Sequence, residues 1–287
     1  MRLLSYNIQY GYGRDDRYDL ARVAEVVKSA DIAALQEVDR HWQRTNYDDQ
    51  PALLAQILPD HHFAYAPGFD MDASTPQDKS RRRQFGPMIA SRWPILWTRT
   101  HLLPLRPMLT PLNSQTCALE AVIATPTGPL RVISLHLAHV GVEERLTQID
   151  HLLKLPHHPG PWSGQDDEPT RNWTESLPEP PTPKATVWMG DFNMEPGSAE
   201  YHRLTGQTPY HPAARYADTL IDAVALTGAK LHTHEKVIAN ETRLRQLDHC
   251  FVTPDLATRV RRAWTDTAEI ASDHFPLWIE LSAPIGA

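Results

Sequence analysis

The sequence predicts an α/β fold, and two observations support this prediction. Near the start of the chain, apolar strand-like runs at residues 2–8 and 31–38 flank a stretch with helical spacing of apolar residues, which makes a β-α-β unit. Later, several strand-like runs follow one another with only proline or glycine turns between them, which favours antiparallel pairing. Both parallel and antiparallel neighbours are therefore expected.

The β-α-β unit should place two polar side chains at one edge of a sheet. Its helix is predicted from Leu20 to Val27, after Asp19, whose side chain is suited to cap a helix N-terminus. Its strands end at Asn7 and Glu37. Because the C-terminal ends of parallel strands lie at the same sheet edge, where ligand sites of α/β proteins gather, we expect both side chains there.

A polar segment from Pro67 to Arg83 follows a short predicted helix at 50–58. It ends in Arg81, Arg82 and Arg83, which could bind an anionic substrate, although a solvated loop is the more usual role of such a charge run.

Four consecutive strands come next, and the last ends in His136 just before a loop. A histidine there is more often structural than catalytic, unless other site residues reach the same edge. The strands are predicted at 85–92, 95–103, 115–124 and 130–137.

Residues 156–184 are predicted to be an insertion that follows a helix at 142–155. The segment is rich in proline and polar residues and is too long for an ordinary connection. Two interpretations stay open, a flexible surface loop or a lid near the site.

The stretch 187–193 brings an acid and an amide to the end of an apolar run. Asp191 and Asn193 follow Gly190, and they would share one face if the extended geometry continued. Such an oxygen pair suits magnesium or manganese and can hold a water or a phosphate oxygen. Gly-Asp is equally ordinary turn chemistry.

Two further acid and histidine groups stand at the heads of C-terminal strands. Asp248 opens a strand-like run at 246–252, and Asp273 and His274 precede the terminal strand at 275–281. An isolated Asp-His pair is weak support for a site. A short helix at 198–204 and a segment with a buried face at 218–226 lie between these regions and Asn193.

Composition limits the classes of function. A formal charge of −7 and a pI near 6.1 mean that no global positive field draws the chain onto a polyanion. We expect a single domain over residues 1–287, a monomer, with Cys117 and Cys250 as buried free thiols. The N-terminus does not resemble a signal peptide, and no run of about 20 apolar residues occurs, so a cytoplasmic location is expected.

Six short motifs together resemble the endonuclease/exonuclease/phosphatase superfamily, the DNase-I-like metal-dependent phosphoesterases. Each motif is short, but all six occur in the family's order between residues 5 and 276. They are Ser5-Tyr6-Asn7, Leu35-Gln36-Glu37, Ser134-Leu135-His136-Leu137, Gly190-Asp191-Phe192-Asn193, Leu247-Asp248-His249 and Ser272-Asp273-His274-Phe275-Pro276.

The resemblance implies a fold and a metal. The fold is a four-layered α/β/β/α sandwich with two mixed β-sheets face to face. The metal is Mg²⁺ or Mn²⁺, with Glu37 as the principal ligand and with Asn7 and Asp273 in the metal and water shell. The resemblance leaves open whether one or two metals act.

The resemblance also implies roles on the phosphate side of the site. Asp191 and Asn193 would orient the attacking water and the scissile phosphate, while His136 and His274 would contact phosphate oxygens. Asp248 would pair with His274, because a carboxylate beside a histidine fixes its orientation and favours its protonated form. Either Asp191 or His274 could be the general base.

The sequence departs from DNase I near His136. DNase I supports the corresponding histidine with a glutamate from an upstream strand, and residues 85–88 offer no obvious counterpart. Pro87 also stands where related proteins commonly have an asparagine. These differences put cleavage of duplex DNA in doubt more than they affect hydrolysis of phosphate esters.

The leading hypothesis is a phosphodiesterase or phosphatase that acts on a small or non-duplex phosphate ester. The alternatives are a nuclease for DNA or RNA that uses Arg81–Arg83, and a non-catalytic binding protein that retains the fold. The remaining histidines are expected at the surface rather than in a zinc site, since no cysteine or acid lies at zinc spacing. They include His61, His62, His157, His158, His232 and His234.

Overall fold

The computed structural model describes residues 1–110, 113–155, 159–164, 171–172, 174–208, 210–211, 214–239 and 241–283. Within these ranges the regular elements are fifteen strands, six α-helices and two short 3₁₀ turns at Gln9–Gly11 and Gln43–Thr45. The strands are β1 Arg2–Asn7, β2 Ile32–Arg40, β3 His62–Tyr65, β4 Phe69–Asp72, β5 Arg82–Ser91, β6 Ile95–Leu102, β7 Cys117–Thr125, β8 Gly128–His136, β9 Thr186–Asp191, β10 Ile221–Asp222, β11 His234–Ile238, β12 Glu241–Arg245, β13 Asp248–Val252, β14 Val260–Thr265 and β15 Leu277–Leu281. The helices are α1 Leu20–Lys28, α2 Gln50–Ile57, α3 Val142–Leu152, α4 Ala199–Thr205, α5 Ala223–Thr227 and α6 Pro254–Ala257.

The strands form two large mixed sheets and one separate hairpin. Sheet 1 has the order β14-β15-β1-β2-β5-β3, with β4 also paired to β5, and sheet 2 has the order β10-β13-β9-β8-β7-β6. In each sheet one central pair is parallel, β1 with β2 and β8 with β9, while the other pairs are antiparallel. The hairpin consists of β11 and β12.

Alternation along the central strands creates three apolar layers. Leu3 and Ile32 of sheet 1 and Val132 and Met189 of sheet 2 belong to one buried cluster between the sheets. Their strand neighbours face outward, against α1 and α2 on sheet 1 and against α3 and α4 on sheet 2. Side chains two apart share a face, so Asn7, His136 and Asp191 at the strand ends lie on the same face as Leu3, Val132 and Met189, which point between the sheets. The prediction of a four-layered α/β/β/α sandwich is confirmed.

Local sequence explains the helix that connects β1 to β2. The Asp19 side chain accepts hydrogen bonds from the backbone N–H groups of Ala21 and Arg22, which confirms the predicted cap. Leu20, Val23, Ala24 and Val27 are buried on one face of α1. The helix thereby fixes the crossover that makes β1 and β2 parallel.

The structure corrects the prediction of a loop from Pro67 to Arg83. Phe69–Asp72 pairs with the start of β5, so Arg82 and Arg83 lie in a strand. Asp70 accepts from Arg82 Nε at 2.8 Å across this pair. Opposite charges on neighbouring strands stabilise an exposed ribbon that the polar composition alone did not predict.

The insertion contacts the outer side of sheet 2 in the part that the structure describes. Trp97 Nε1 donates to the Pro181 carbonyl at 2.9 Å, and Arg99 Nη2 donates to the carbonyls of Pro159 and Gly160 at 3.1 Å. Both side chains belong to β6, an edge strand. Residues 156–158, 165–170 and 173 of the predicted insertion lie outside the described residues. The described contacts favour a surface segment over a lid.

No helix among the described residues is long and apolar enough to cross a membrane.

Candidate active site

Asn7 and Glu37 meet at the C-terminal ends of β1 and β2. Asn7 Nδ2 donates to Glu37 Oε1 at 3.0 Å and to Asp191 Oδ2 at 3.2 Å, so one amide connects carboxylates from the two sheets. Asn7 Oδ1 accepts from the backbone N–H of Gln9 at 3.0 Å, which fixes the orientation of the amide. A carbonyl oxygen has two lone pairs, so one stays available on Oδ1.

A β-bulge directs Glu37 into the site. The β2–β5 register shifts between Leu35 and Val38, and Glu37 has a φ of 60°, in the left-handed region. In a regular strand Glu37 would share the helix-facing side with Leu35, since residues two apart point the same way. The bulge breaks this alternation and brings the carboxylate to Asn7. Such a backbone conformation costs about 1–3 kcal/mol and is often found at functional sites.

Gly190 permits the close approach of β8 and β9. A Cβ at this position would lie 1.9 Å from the Leu135 carbonyl oxygen. The next residue on each strand, His136 and Asp191, can therefore lie side by side, with 3.5 Å between His136 Nε2 and Asp191 Oδ2.

Asp191 and Asn193 converge through a turn rather than through strand alternation. The strand ends at Asp191, Asn193 has a φ of 50°, and the Asn193 backbone N–H donates to Asp191 Oδ1 at 2.8 Å. The condition under which the two residues would share a strand face is not met, because the extended geometry ends at Asp191. An asparagine tolerates the left-handed conformation and the acid caps its own turn, so the Asp-x-Asn spacing still brings the two side chains together.

The Asn193 amide has a defined orientation. Its Nδ2 donates to the Leu137 carbonyl at 3.0 Å and to His136 Nε2 at 3.1 Å, which uses both amide hydrogens and leaves Oδ1 as an acceptor. Because His136 Nε2 accepts, the remaining donor of this ring is Nδ1. Among the described residues Nδ1 has no hydrogen-bond partner and lies 4.0 Å from Glu37 Oε1.

A narrow crevice beside His136 contains the residues that depart from the family pattern. It is lined by Glu37 and His136 on one side and by Phe85, Gly86 and Pro87 on the other. The residues at 85–87 place no carboxylate against the His136 ring, which agrees with the missing glutamate noted in the sequence.

Asp248 and His274 form a buried ion pair. His274 Nδ1 donates to Asp248 Oδ2 at 2.7 Å, and Nε2 lies 3.7 Å from Asp191 Oδ2. Burial alone would lower the pKa of His274, but the carboxylates of Asp248 and Asp191 outweigh it and raise this pKa to about 10. The imidazole is therefore cationic at neutral pH, with Nε2–H facing the site.

Asp191 is held ionised by the same arrangement. Burial would raise its pKa, but the nearby rings of His136 and His274 and the hydrogen bonds from Asn193 and Asn7 lower it below the ordinary value. The carboxylate is almost fully buried, yet it remains an acceptor at neutral pH.

The Ser272-Asp273-His274 turn is attached to β1. Ser272 Oγ donates to the Asn7 carbonyl at 2.7 Å and accepts from the His274 backbone N–H at 3.1 Å. This hydroxyl holds the turn that carries Asp273 next to Asn7.

His234 is a site residue that the sequence argument missed. It was expected at the surface, but it is only 7% exposed, and its ring centroid lies 4.8 Å from that of His274. Burial, together with the positive charge of His274, lowers the pKa of His234 to about 4. His234, Asp273 and His274 offer one ligand atom each within 4.8 Å of one another, a group that could hold a metal ion.

No short motif marked His234, since it lies on a hairpin outside the six motifs. Thr233, whose hydroxyl accepts from the backbone N–H of Asp248 at 2.9 Å, was missed for the same reason. Residues 234–245 show no regular alternation of polar and apolar residues, so local sequence did not predict the hairpin.

The oxygen-rich side of the cluster fits a divalent cation. Glu37 and Asp191 both accept from one Asn7 nitrogen, so two carboxylates lie close together. Among the described residues their ion pairs are with histidines, and neither pairs with lysine or arginine. Carboxylate and amide oxygens without a basic partner are the ligand set that Mg²⁺ and Mn²⁺ prefer.

Arg81, Arg82 and Arg83 make their described contacts elsewhere. Arg82 pairs with Asp70, Arg81 Nη2 donates to the Tyr47 carbonyl at 3.3 Å, and the Arg83 guanidinium lies 5.5 Å from the centre of the Trp42 ring. The structure does not bring them into the hydrogen-bonded cluster of the site.

Comparison with known proteins gives a family and a fold. The sequence model of the Endonuclease/Exonuclease/phosphatase family matches residues 4–274 of this chain. A comparison with curated proteins gave no match.

Three similar solved structures show the range of proteins with this fold. An endonuclease/exonuclease/phosphatase from Beutenbergia cavernae is 19% identical with a TM-score of 0.63, covering 100% of this chain and 73% of that one. A mannosyl-6-phosphatase from Bacteroides thetaiotaomicron is 17% identical with a TM-score of 0.63, covering 98% and 99%. TDP2 from D. rerio, complexed with a single-strand DNA product, is 15% identical with a TM-score of 0.55, covering 98% of both chains.

Proposed function

Because the chain belongs to the endonuclease/exonuclease/phosphatase family, we propose that it is a Mg²⁺- or Mn²⁺-dependent hydrolase of phosphate esters. Its substrate would be a small or non-duplex monoester or diester, cleaved by in-line attack of water. The family match supports the reaction class. The choice of metal and substrate is our inference from the site.

One observation carries the proposal, the bonded chain of polar groups that joins both sheets. It runs from Glu37 through Asn7 to Asp191, and from Asp191 to Asn193 and His136. The His274–Asp248 pair adjoins this chain, with His274 Nε2 3.7 Å from Asp191 Oδ2. A structural role alone does not require two close carboxylates and a buried imidazolium, since burying charges costs several kcal/mol per ion.

Glu37 would hold the cation, with Asn7 Oδ1 and Asp273 beside it. A bound Mg²⁺ or Mn²⁺ would supply Lewis acidity and would neutralise charge on the phosphate oxygens.

The remaining residues would handle the water and the phosphate. No described residue donates to Asn193 Oδ1, which lies next to Asp191, so the pair can orient a water and accept its proton. His274 presents a donor at Nε2, suited to a phosphate oxygen that gains charge. We favour Asp191 over His274 as the general base, because the bond between His274 Nδ1 and Asp248 supports a cationic ring. His136 Nδ1 is the other ring donor of the site; it is buried and lies 4.0 Å from Glu37 Oε1.

A nuclease is the second candidate, since one similar structure is named for a complex with a single-strand DNA product. Against it stand the acidic charge of −7 and the existing contacts of Arg81–Arg83. A neutral or acidic surface gives weak electrostatic attraction to polyanions.

A substrate panel tests the proposal. The protein would be assayed with Mg²⁺, Mn²⁺ or EDTA against a chromogenic phosphodiester, a phosphomonoester, sugar phosphates, phospholipid head-group esters, and single- and double-stranded nucleic acids. We expect metal-dependent turnover of a small ester, lost in Glu37→Gln and Asp191→Asn and retained in Asp150→Asn, which changes only an exposed pair with Arg203.

Two outcomes would contradict the proposal. Salt-sensitive cleavage of nucleic acid with no small-ester turnover would favour the nuclease. Turnover unchanged in Glu37→Gln and Asp191→Asn would exclude the assigned site, and absence of both turnover and divalent-metal binding would favour a non-catalytic binding protein.

A further inference from the structure

His234 stands at the base of the β11–β12 hairpin, and backbone bonds fix this base against the site. The Phe275 N–H donates to the Thr233 carbonyl at 2.6 Å, and the Leu247 N–H donates to the Thr233 hydroxyl at 3.0 Å. His234 itself forms an antiparallel bridge with His274. Its position therefore depends on the same strands that carry Asp248 and His274.

The cross-strand partner of His234 determines its tautomer. His234 pairs with Arg245 in the hairpin register, and Arg245 Nη2 lies 3.2 Å from His234 Nδ1. A guanidinium has only donors, so Nδ1 must accept. The neutral imidazole then carries its proton on Nε2.

Within the described part of the chain, the Nε2–H group has no hydrogen-bond partner. Among the described residues every recorded hydrogen bond of the ring is made by Nδ1, and Nε2 is not fully buried. One nitrogen of the His234 ring lies within 4.8 Å of ligand atoms of Asp273 and His274, and the ring centroids of the two histidines are 4.8 Å apart. Because Arg245 occupies Nδ1, the Nε2–H group is the donor of this ring that can reach a phosphate bound beside His274.

This geometry argues against His234 as a metal ligand. Coordination through Nε2 would need the proton on Nδ1, where it would meet the Arg245 donor. The Arg245 guanidinium at Nδ1 would also repel a cation.

We propose that His234 is a further substrate-contacting residue, which donates its Nε2 hydrogen to an oxygen of the bound phosphate group. Arg245 is the positioning residue that fixes the tautomer. The inference rests on the proposed phosphate-ester substrate, but its first test needs no turnover.

That first test measures the tautomer and ligand binding in the intact protein. In ¹⁵N-histidine NMR spectra we expect His234 as the Nε2–H tautomer, changed by Arg245→Met. By calorimetry, His234→Ala should weaken the binding of inorganic phosphate by a factor of about 10 and leave Mn²⁺ affinity within about twofold, because it removes one hydrogen bond to a charged group. An Nδ1–H tautomer, or a tenfold loss of Mn²⁺ affinity, would overturn the assignment.

The second test uses the substrate found in the panel. Glutamine places its amide nitrogen near the position of Nε2, so His234→Gln should keep kcat/KM within about threefold, while His234→Ala should lower it by about 10-fold or more. His232→Ala is the matched control on the same segment, because its ring packs against Phe275, and it should behave as the parent protein. Equal values for His234→Ala, His234→Gln and the parent would overturn the proposal.

The two tests separate this inference from the proposed function. Without any phosphate-ester turnover the proposed function fails, whereas the tautomer and phosphate affinity still decide the role of His234. Thermal unfolding of each variant shows that an altered value does not come from a misfolded protein.

Discussion

Gly190 shows how a single residue determines the spacing of the site. Its Cα lies so close to β8 that an added Cβ would be 1.9 Å from the Leu135 carbonyl oxygen, a backbone atom that cannot move alone. We expect Gly190→Ala to lower the free energy of unfolding by about 3 kcal/mol or more, because the strands must separate. Urea denaturation followed by circular dichroism measures this change.

Gly141→Ala is the control for this prediction. Apart from its two chain neighbours, no described residue places a heavy atom within 4 Å of a Cβ at Gly141, and its φ of −169° is extended backbone. The cost should stay below about 1 kcal/mol. Equal losses in the two variants would show that the close approach at Gly190 is not the cause.

Asp248 gives a prediction about catalysis rather than stability. Asp248→Asn keeps an acceptor near His274 Nδ1 but removes the charge that favours the imidazolium. We expect kcat to fall roughly 100-fold or more while KM changes little. The cationic His274 ring donates from Nε2 to phosphate oxygens that gain charge in the transition state, and a neutral ring stabilises this charge less. Steady-state kinetics on the panel substrate measures it. An unchanged kcat would mean that His274 does not need its partner.

The sequence predicts site residues best where chemistry and local structure agree. Asn7, His136 and Asp191 end buried strands, and Glu37 lies at the bulge within β2, so short motifs identify them and the sheet edge brings them together. His234 could not be found in this way, because its burial depends on a hairpin base bonded to distant strands. The bulge at Glu37 likewise follows from pairing with β5 rather than from its own strand.

At the scale of elements, β7 and β8 carry a buried charged group on the outer face of sheet 2. Glu120 is fully buried and lies 3.2 Å from Arg131 Nε and 2.8 Å from His101 Nε2. We expect Glu120→Ala to lower the free energy of unfolding by about 3–5 kcal/mol, because it leaves a buried guanidinium without a counter-charge. Urea denaturation tests this.

The exposed pair of Arg203 and Asp150 is the matched control. Its side chains are 55% and 46% exposed, so Asp150→Ala should cost less than about 1 kcal/mol. The residual activity per folded molecule of Glu120→Ala should equal that of the parent, since the residue lies outside the candidate site. A small loss of stability for Glu120→Ala would contradict the assigned ion pair.

Elements with strong apolar periodicity were predicted well, and exposed ribbons were not. The runs that became β1, β2, β8 and β9 are buried on both faces, so their composition alone indicates strands. By contrast, β4 and the β11–β12 hairpin are polar and partly exposed. Their pairing depends on the partner strand, which no local pattern reveals.

At the level of the whole molecule, the reactivity of the two buried thiols measures whether the two sheets stay packed together. Cys117 from β7 and Cys250 from β13 both lie in the apolar cluster that joins the sheets. Burial raises the pKa of the Cys117 thiol to about 12 and also raises that of Cys250. We expect neither thiol to react with a disulfide reagent in the native protein and both to react after unfolding. Rapid native labelling of one thiol would show that the sheets open locally.

Some whole-molecule expectations stay predictions. The single domain over 1–287, the monomeric state and the cytoplasmic location rest on the sequence. The two sheets explain why motifs from Asn7 to His274 lie at one edge of the sandwich, but they do not test these three expectations.

The two carboxylates at this edge of the sandwich should link cation binding to the stability of the fold. Glu37 comes from sheet 1 and Asp191 from sheet 2, and both accept from the same Asn7 nitrogen, so their charges repel each other across the sandwich. A cation bound beside them offsets this repulsion only in the folded state.

We therefore expect Mn²⁺ at about 100 times its Kd to stabilise the protein by about 2.7 kcal/mol, seen as a rise of several degrees in Tm. EDTA should reverse the rise. Glu37→Gln should match or exceed the metal-free parent in Tm and should lose the response to Mn²⁺, while Asp150→Asn should keep it. An equal Mn²⁺ response in Glu37→Gln would show that the cation binds elsewhere.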